Sequence, residues 1–293
     1  MKTLLGVDLP GMFRPALNLC LDLEFQNQQI LCVHVMENPP VTVPRRTDIL
    51  FDAGAWRRQL EHLARNAVRE AQNAACDRNV ASRGMVVEGS PPDQLVQIAD
   101  REHIDLIAVG SIRSGTGSRF TFGSVARALA IGAHQSLLVT KLGEPPVAPV
   151  RAVFATDHSD YATRCFDKLL QWAPKGIASI DVVTAYEVND ETAILLHENL
   201  AKLGSSVDEE VRESLHEKGE RLSRALIRGG YASRPHVMKG HPRQVLSKAM
   251  EEAKADLMIV GAQGHGFLER LFVGSVSLHQ ITAEPYPVLL LRA

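Results

Sequence analysis

Three glycines and a serine in the last third of the chain have the residue types and the spacing to bind an anion. They occur between Gly261 and Ser277, in the stretch GAQGHGFLERLFVGSVS, with the spacing G-x2-G-x9-G-S. Gly261 and Gly264 can take positive φ angles and expose backbone amides, and Gly274-Ser275 is expected to open a helix whose first N–H groups lack intrahelical partners. Amides that converge at a helix N-terminus bind phosphate. The Ser275 hydroxyl either adds a donor there or caps the helix.

The elements that must position this loop are a buried strand before it and a helix after it. The run from Asp256 to Val260 is short and apolar, which is typical of a strand buried on both faces of a parallel sheet. Asp157 and Gly240 each end another predicted strand. Because ligands of open α/β sheets bind at the carboxyl ends of the strands, we expect the loop, Asp157 and Gly240 at one edge of a sheet.

The same landmarks occur twice, which indicates two copies of one α/β unit. Four pairs are separated by 151 positions: Gly89 and Gly240, Asp105 and Asp256, Gly110 and Gly261, and Gly123-Ser124 and Gly274-Ser275. A proline-containing linker, Gly143 to Pro149, lies between the copies. The 293 residues therefore predict a first domain over residues 1–142 and a second over residues 150–293.

Apolar runs that alternate with helical periodicity predict the fold class α/β, with two tandem doubly wound, mainly parallel five-stranded sheets. The strands expected in the first domain are Thr3–Asp8, Gln29–Met36, Arg83–Glu88, Asp105–Ser111 and Ser136–Thr140. Those expected in the second are Arg151–Thr156, Ser179–Tyr186, Pro235–Lys239, Asp256–Val260 and Pro287–Leu291. The longest helix of the first domain, near Ala55 to Arg78, is expected to rest on its sheet through Trp56, Leu60, Leu63, Ala67, Ala71 and Ala75.

The glycine loop and its surroundings resemble the universal stress proteins of the UspA type, whose ATP-binding members carry G-x2-G-x9-G-[S/T] between the fourth strand and the fourth helix. The match extends to Val276-Ser277 and to the terminal strand Pro287–Arg292. The resemblance implies a Rossmann-like, adenine nucleotide alpha hydrolase-like fold, with ATP as the ligand and Mg²⁺ as an ion that Asp157 or the phosphates could hold. The alternative is a glycine-rich β-α turn in another doubly wound fold.

The resemblance also implies which residues contact the nucleotide. In the relatives, an acidic residue at the position of Asp157 lies beside the adenine, where a carboxylate can accept a hydrogen bond from the exocyclic amino group. The implied contact residues are Asp157, Gly240, Val260, Gly261, Gly264, His265, Gly266, Gly274, Ser275 and Val276.

Several of these residues have a purely structural alternative. Asp157 could cap the helix that begins near Asp160, and Gly240 could serve an ordinary strand-to-helix turn. His265 is expected to contribute its position rather than its imidazole, because backbone amides make the phosphate contacts in the relatives. A side chain larger than those of Val260 and Gly261 is expected to block the approach of the ribose or base.

The first domain departs from this pattern. Arg113 stands where the second glycine of the loop should be, and Asp8 is followed by Leu9-Pro10, whereas Asp157 is followed by His158-Ser159. The first domain is therefore expected to be a degenerate partner that packs against the second. The alternative is that it binds a nucleotide as well, with Gly115-Thr-Gly117 as a substitute loop or with Arg113 pairing with the anion. By analogy with the family, the fifth strands of the two domains are expected to meet as a pseudo-dimer within the chain, and a homodimer is a further expectation.

Composition and motifs limit the remaining function classes. The net charge of −2 gives no basic footprint for nucleic acid, and no apolar run approaches the roughly 20 residues that a membrane span needs. The four cysteines form no metal-binding pattern, and cytoplasm is the expected compartment.

The motif of a classical NTPase, G-x4-G-K-[ST], does not occur in the sequence. We therefore expect an ATP-binding stress or signalling module. Two alternatives remain: an interaction protein that binds no nucleotide, and an enzyme such as a slow ATPase or a nucleotidyl transferase.

Overall fold

The chain divides into two compact units, Met1–Pro145 (unit 1) and Pro146–Ala293 (unit 2). The computed structural model describes residues 1–37, 53–111, 123–141, 148–187, 207–263 and 273–293. In both units, short apolar strands alternate with helices along the sequence. Each unit is therefore an α/β structure, as the sequence predicts.

The described residues of unit 1 include five strands and four helices. In chain order they are β1 (Lys2–Gly6), α1 (Phe13–Asp22), β2 (Gln29–Met36), α2 (Ala53–Asp77), β3 (Ala81–Glu88), α3 (Pro91–Arg101), β4 (Leu106–Ser111), α4 (Ser124–Gly132) and β5 (Ser136–Lys141). Unit 2 repeats the order with β6 (Val150–Ala155), α5 (Asp160–Trp172), β7 (Ile177–Tyr186), α6 (Val207–Arg228), β8 (Pro235–Lys239), α7 (Pro242–Ala253), β9 (Leu257–Gly261), α8 (Ser275–Ala283) and β10 (Val288–Leu291).

The strands of each unit form a sheet in which neighbouring strands are parallel. The order is β3-β2-β1-β4-β5 in unit 1 and β8-β7-β6-β9-β10 in unit 2. The order reverses beside the first strand of each unit, so that β1 lies between β2 and β4, and β6 between β7 and β9. Such a switch point leaves a crevice at the carboxyl ends of the strands, where α/β proteins bind ligands.

Burial follows the parallel topology. The central strands β4 and β9 are almost wholly buried, whereas the edge strands β3 and β8 are partly exposed. Every predicted strand agrees with the structure to within two residues at each end. Continuous apolar runs are therefore sufficient to locate the core of both units.

The predicted buried face of α2 is wrong over its first half. Trp56 is 37% exposed and Leu63 is 46% exposed, whereas Ala64, Val68 and Ala71 are buried. The buried face of this part of α2 is therefore formed by alanine and valine rather than by the largest apolar side chains.

The described ranges contain no membrane-spanning helix, no metal-binding cluster and no disulfide. None of the helices there is both long and apolar enough to cross a membrane, and no three His, Cys, Asp or Glu side chains there are grouped to hold a metal ion. Cys20, Cys32, Cys76 and Cys165 are all free thiols, of which only Cys76 is exposed.

A histidine–carboxylate pair at the edge of the unit 2 sheet, His236 with Asp181, is expected to make the stability of the protein depend on pH. His236 Nε2 lies 3.3 Å from Asp181 Oδ2, and pairing with this carboxylate raises the pKa of His236 above its usual value. A pKa that is higher in the folded state contributes stability that is complete below the unfolded pKa, about 6.5, and is lost as the pH rises through the folded pKa. The contribution is expected to be small, because the His236 side chain is 42% exposed and solvent screens the pair.

Urea unfolding of the wild type and of His236→Gln measures this contribution. We expect the difference in the free energy of unfolding between the two proteins to shrink as the pH rises from about 6 to about 8. A difference that stayed constant over this range would contradict the assignment to the His236–Asp181 pair.

Candidate functional site

A cavity of about 270 Å³ opens at the carboxyl ends of β6, β7 and β9 in unit 2. Its volume lies near the lower end of the range for small-molecule pockets, about 300 to 1,000 Å³. It is lined by Ala155, Thr156, Asp157, Ala162, Val183, Ala185, Pro242, Leu246, Val260, Gly261, Gln263, Gly274, Ser275, Val276 and Ser277. The cavity therefore occupies the crevice that the strand order creates.

Six of the ten predicted contact residues line this cavity. They are Asp157, Val260, Gly261, Gly274, Ser275 and Val276. Gly240 is not among the lining residues, although Pro242, two positions later, is. Gly264, His265 and Gly266 lie outside the described residues.

Asp157 follows β6 and lies in a tight turn before α5. Its Oδ1 accepts a hydrogen bond from the Ser159 amide at 3.0 Å, and Ser159 Oγ accepts one from the Ala162 amide at 3.1 Å. Ser159 is thus the N-cap of α5, and the alternative in which Asp157 caps this helix is wrong. The turn also holds His158 at a φ of 58°, with its Nε2 2.9 Å from Thr184 Oγ1. Asp157 is therefore fixed by its neighbours while it faces the cavity.

Helix α8 begins at the opposite side of the cavity. Gly274 is its N-cap, and no side-chain hydrogen bond caps the helix. The alternative in which Ser275 caps α8 is therefore wrong, because Ser275 is the first helical residue. The N-terminus of a helix carries a partial positive charge and unpaired amides. Together with the lining residues Ser275 and Val276, this end of α8 can attract an anion into the cavity.

Two hydrogen bonds join the start of α8 to the end of β9. The Gly274 amide donates to the Ala262 carbonyl at 2.7 Å, and Ser277 Oγ donates to the Gly261 carbonyl, also at 2.7 Å. Gly261 itself does not have the positive φ that the sequence suggested. It ends β9 in extended conformation, where any residue can fit the backbone.

Helix α5 forms the wall behind Gly261. A Cβ on Gly261 would make ordinary contacts, at 3.4 Å to Cys165 Sγ and 3.5 Å to Tyr161 Cε1. Burial raises the pKa of the Cys165 thiol to about 12, so that the sulfur is protonated at neutral pH and is a poor nucleophile. The wall is therefore structural.

Gly240 serves the turn between β8 and α7. Its φ is +134°, which side chains rarely adopt, and its amide donates to the Tyr186 carbonyl at 2.9 Å. His241 follows as the N-cap of α7, accepting a hydrogen bond from the Arg243 amide through Nδ1 at 3.4 Å. The structure thus confirms the turn role of Gly240. Gly240 lies two residues before the lining residue Pro242 but is not itself among the lining residues.

Sequence reasoning missed nine lining residues, most of them apolar. They are Ala155, Thr156, Ala162, Val183, Ala185, Pro242, Leu246, Gln263 and Ser277. One signal was available: Val183 and Ala185 alternate along β7, as residues on one face of a strand must. The small side chain of Ala162 is informative only when it is compared with unit 1.

The two units can be compared residue by residue, because their strands pair in the same register. Thr3 of β1 pairs with Leu106, and Ala152 of β6 pairs with Leu257. Phe13 lies ten residues after Thr3 in unit 1, and Ala162 lies ten residues after Ala152 in unit 2, so the two residues are counterparts. Phe13 is 1% exposed, so the counterpart of the cavity-lining Ala162 in unit 1 is a buried phenylalanine.

The backbone of unit 1 closes the same space from a second direction. A Cβ built on Gly110, the counterpart of Gly261, would overlap the carbonyl oxygen of Met12. Asp8, the counterpart of Asp157, accepts a hydrogen bond from the Phe13 amide at 2.9 Å, and burial raises the pKa of its carboxyl. In unit 1 the aspartate therefore holds the start of α1, and the loop around Met12 lies directly on β4.

Comparison with known proteins identifies the family. The model of the universal stress protein family matches residues 1–141 and again residues 151–292. A universal stress protein of Mycobacterium bovis is 25% identical over 290 residues, which cover 92% of this chain and 90% of that protein.

Solved structures give the same result for the fold. The crystal structure of a universal stress protein from Archaeoglobus fulgidus has a TM-score of 0.70 and 18% identity, and covers 99% of this chain and 98% of its own. A universal stress protein crystallised in complex with cAMP matches 50% of this chain and 98% of its own, with 22% identity and a TM-score of 0.35. From the two family matches, which together span nearly the whole sequence, it follows that the chain belongs to the universal stress protein family and carries two copies of its domain.

Proposed function

We propose that unit 2 binds an adenine nucleotide, with ATP as the first candidate, and that the protein acts as a stress or signalling module that responds to this ligand. The observation that carries the proposal is the convergence of Asp157, Val260, Gly261 and the first turn of α8 on one cavity. A carboxylate on one side and a helix N-terminus on the other suit a ligand with an amino-bearing base at one end and phosphates at the other.

Each side of the cavity has its own role in this proposal. The apolar side chains of Val183, Leu246 and Val260 offer contact surface for the base, while Asp157 accepts from its exocyclic amino group. The amides of Ser275 and Val276 receive the phosphates. Gly264, His265 and Gly266 stay predicted phosphate contacts.

Mg²⁺ would have to be held mainly by the nucleotide. Within the described ranges no group of three carboxylate, histidine or cysteine side chains could hold a metal ion, so that Asp157 and the phosphates are the candidate ligands. Slow hydrolysis of ATP is a second candidate function, and a nucleotide-independent interaction is a third. The cavity favours binding over both, since its described lining brings together a carboxylate, apolar side chains and a helix N-terminus that can hold a nucleotide.

Titration calorimetry of the nucleotide-stripped protein tests the proposal. We expect about one ATP per chain, because Phe13 and Met12 fill the corresponding space in unit 1. At a concentration one hundred times the dissociation constant, ATP should stabilise the protein by about 2.7 kcal/mol. AMP and cAMP titrated in parallel rank the nucleotides, and phosphate release measured over hours detects turnover.

The outcomes separate the three candidate functions. Binding without phosphate release supports a binding module, and release that depends on Asp157 supports an enzyme. If none of the three nucleotides gives heat of binding or stabilises the protein, the nucleotide-independent interaction is the candidate function that remains. Two sites per chain would contradict the role given to Phe13.

Three further parts of the sequence analysis stay predictions. They are the cytoplasmic location, the pairing of the fifth strands as a pseudo-dimer, and a homodimer. Sedimentation of the purified chain over a range of concentrations tests the homodimer.

A further inference from the structure

We propose that Ser277 is a positioning residue, which holds the start of α8 against the end of β9 so that the amides of Ser275 and Val276 face the phosphates of a nucleotide. This inference rests on the proposed function. It starts from the hydrogen bond that Ser277 Oγ donates to the Gly261 carbonyl at 2.7 Å. Ser277 lines the cavity and is 7% exposed, so this bond lies in a region from which water is largely excluded.

The hydroxyl of Ser277 acts on the protein rather than on the phosphates. A serine hydroxyl has a single proton to donate, and this proton is directed at the Gly261 carbonyl. Phosphate oxygens accept hydrogen bonds and therefore need a donor. Ser277 is not available as that donor, because its hydroxyl proton is already donated to the Gly261 carbonyl. Its contribution to nucleotide binding must therefore pass through the backbone that it holds.

The bond forms a pair with a neighbouring backbone bond. The Gly274 amide donates to the Ala262 carbonyl at 2.7 Å, which connects the same two elements one step nearer to the intervening loop. Two bonds fix both the distance and the direction of the helix end, whereas one bond would leave it free to rotate. Preorganised donors bind an anion more strongly than donors that must first be ordered.

Unit 1 has the same junction without the serine. The counterpart of Ser277 is Ala126, the third helical residue after Gly123. There the Gly123 amide donates to Ser111 Oγ at 3.3 Å, and Ser111 is the counterpart of Ala262. Unit 1 folds with an alanine at this position, so the helix does not need the hydroxyl in order to form. In unit 2 the serine lines the cavity.

Ser277→Ala tests the inference, since it introduces the residue that unit 1 already carries. We expect the affinity for ATP to fall about three- to tenfold, the usual effect of one lost hydrogen bond. The affinity for adenosine, which has no phosphate, should change less than about twofold. Ser277→Thr keeps a hydroxyl and should restore ATP binding. Calorimetric titrations of each variant with both ligands measure these effects.

A matched control is available in Ser223. It is buried in α6, and its Oγ donates to Ser233 Oγ at 2.8 Å, but it does not line the cavity. Ser223→Ala removes the same atom from a similarly buried place, and we expect it to lower stability without changing either affinity. An equal loss of ATP and adenosine affinity in Ser277→Ala would overturn the inference, because a general loosening of the unit weakens both ligands.

Hydrogen exchange without nucleotide separates this inference from the proposed function. Ser277→Ala should speed exchange of the Gly274 amide, while the Gly240 amide, bonded to the Tyr186 carbonyl at 2.9 Å, keeps its rate. Unchanged exchange at Gly274 would overturn the positioning role. If the wild type bound no ATP, the proposed function and the phosphate role would both fail. Exchange would then still show whether Ser277 holds the junction.

Discussion

Ala162→Phe is expected to abolish ATP binding, weakening it by more than about 100-fold, or about 2.7 kcal/mol. Ala162 lines the cavity of unit 2, and the substitution places there the ring that Phe13 provides in unit 1. Because Phe13 is buried in a folded unit, we expect a phenyl ring at position 162 to fill the cavity without straining the packing of α5. The variant should therefore fold with its thermal midpoint close to that of the wild type, but lose the stabilisation by ATP.

The control for this experiment is Thr163→Phe. Thr163 is the next residue of α5 and is exposed, so that its ring points away from the cavity and should leave ATP affinity unchanged. Calorimetry and thermal unfolding with and without ATP are compared for both variants. Wild-type affinity in Ala162→Phe would show that the nucleotide lies elsewhere, while a variant that fails to fold is recognised by its loss of cooperative unfolding.

Asp157→Asn is expected to lower the affinity for ATP by about 10- to 100-fold, which is the effect of removing a hydrogen bond to a charged group, about 1.5 to 3 kcal/mol. The reason is the number of acceptors. The Asp157 carboxylate has two oxygens, and one of them already accepts from the Ser159 amide at 3.0 Å. Asparagine has one acceptor oxygen and no negative charge, so the turn and the exocyclic amino group of the base would have to share that oxygen.

A change of base sharpens this prediction. Inosine triphosphate carries a carbonyl where ATP has the amino group, and the side-chain nitrogen of the substituted asparagine could donate to it. The wild type should prefer ATP, and Asp157→Asn should lose or reverse that preference. Asp160→Asn, in the first turn of α5 and outside the cavity lining, is the control. An unchanged ratio of the two affinities in Asp157→Asn would remove Asp157 from the base site.

The sequence predicted the strands well because parallel strands buried on both faces are continuous apolar runs. It also placed six site residues on one cavity, because the carboxyl ends of neighbouring strands must meet at one edge. The α2 face was predicted less well. Periodicity correctly placed Ala71 on the buried face, but it did not distinguish Trp56 and Leu63, which are exposed, from Ala64 and Val68, which are buried.

Two features of the site could not be inferred from residue types. Phe13 is an ordinary core residue until the register of β1 and β6 shows that it stands in the place of Ala162. Likewise, the sequence alone could not show whether Asp157 caps α5, and only the direction of the amides assigns the cap to Ser159. Both depend on three-dimensional register rather than on local preference.

The glycines that follow β3 and β8 have the same unusual backbone conformation in the two halves of this duplicated chain. Gly89 has a φ of +141° and Gly240 one of +134°, so both halves of the chain have the same unusual backbone at this turn. A duplicated sequence thus contains its own comparison between the demands of folding and those of recognition. The positive φ of these two glycines, which is present in both halves, is accounted for by the architecture. Differences such as Ala162 in one half against Phe13 in the other mark where the two halves have specialised.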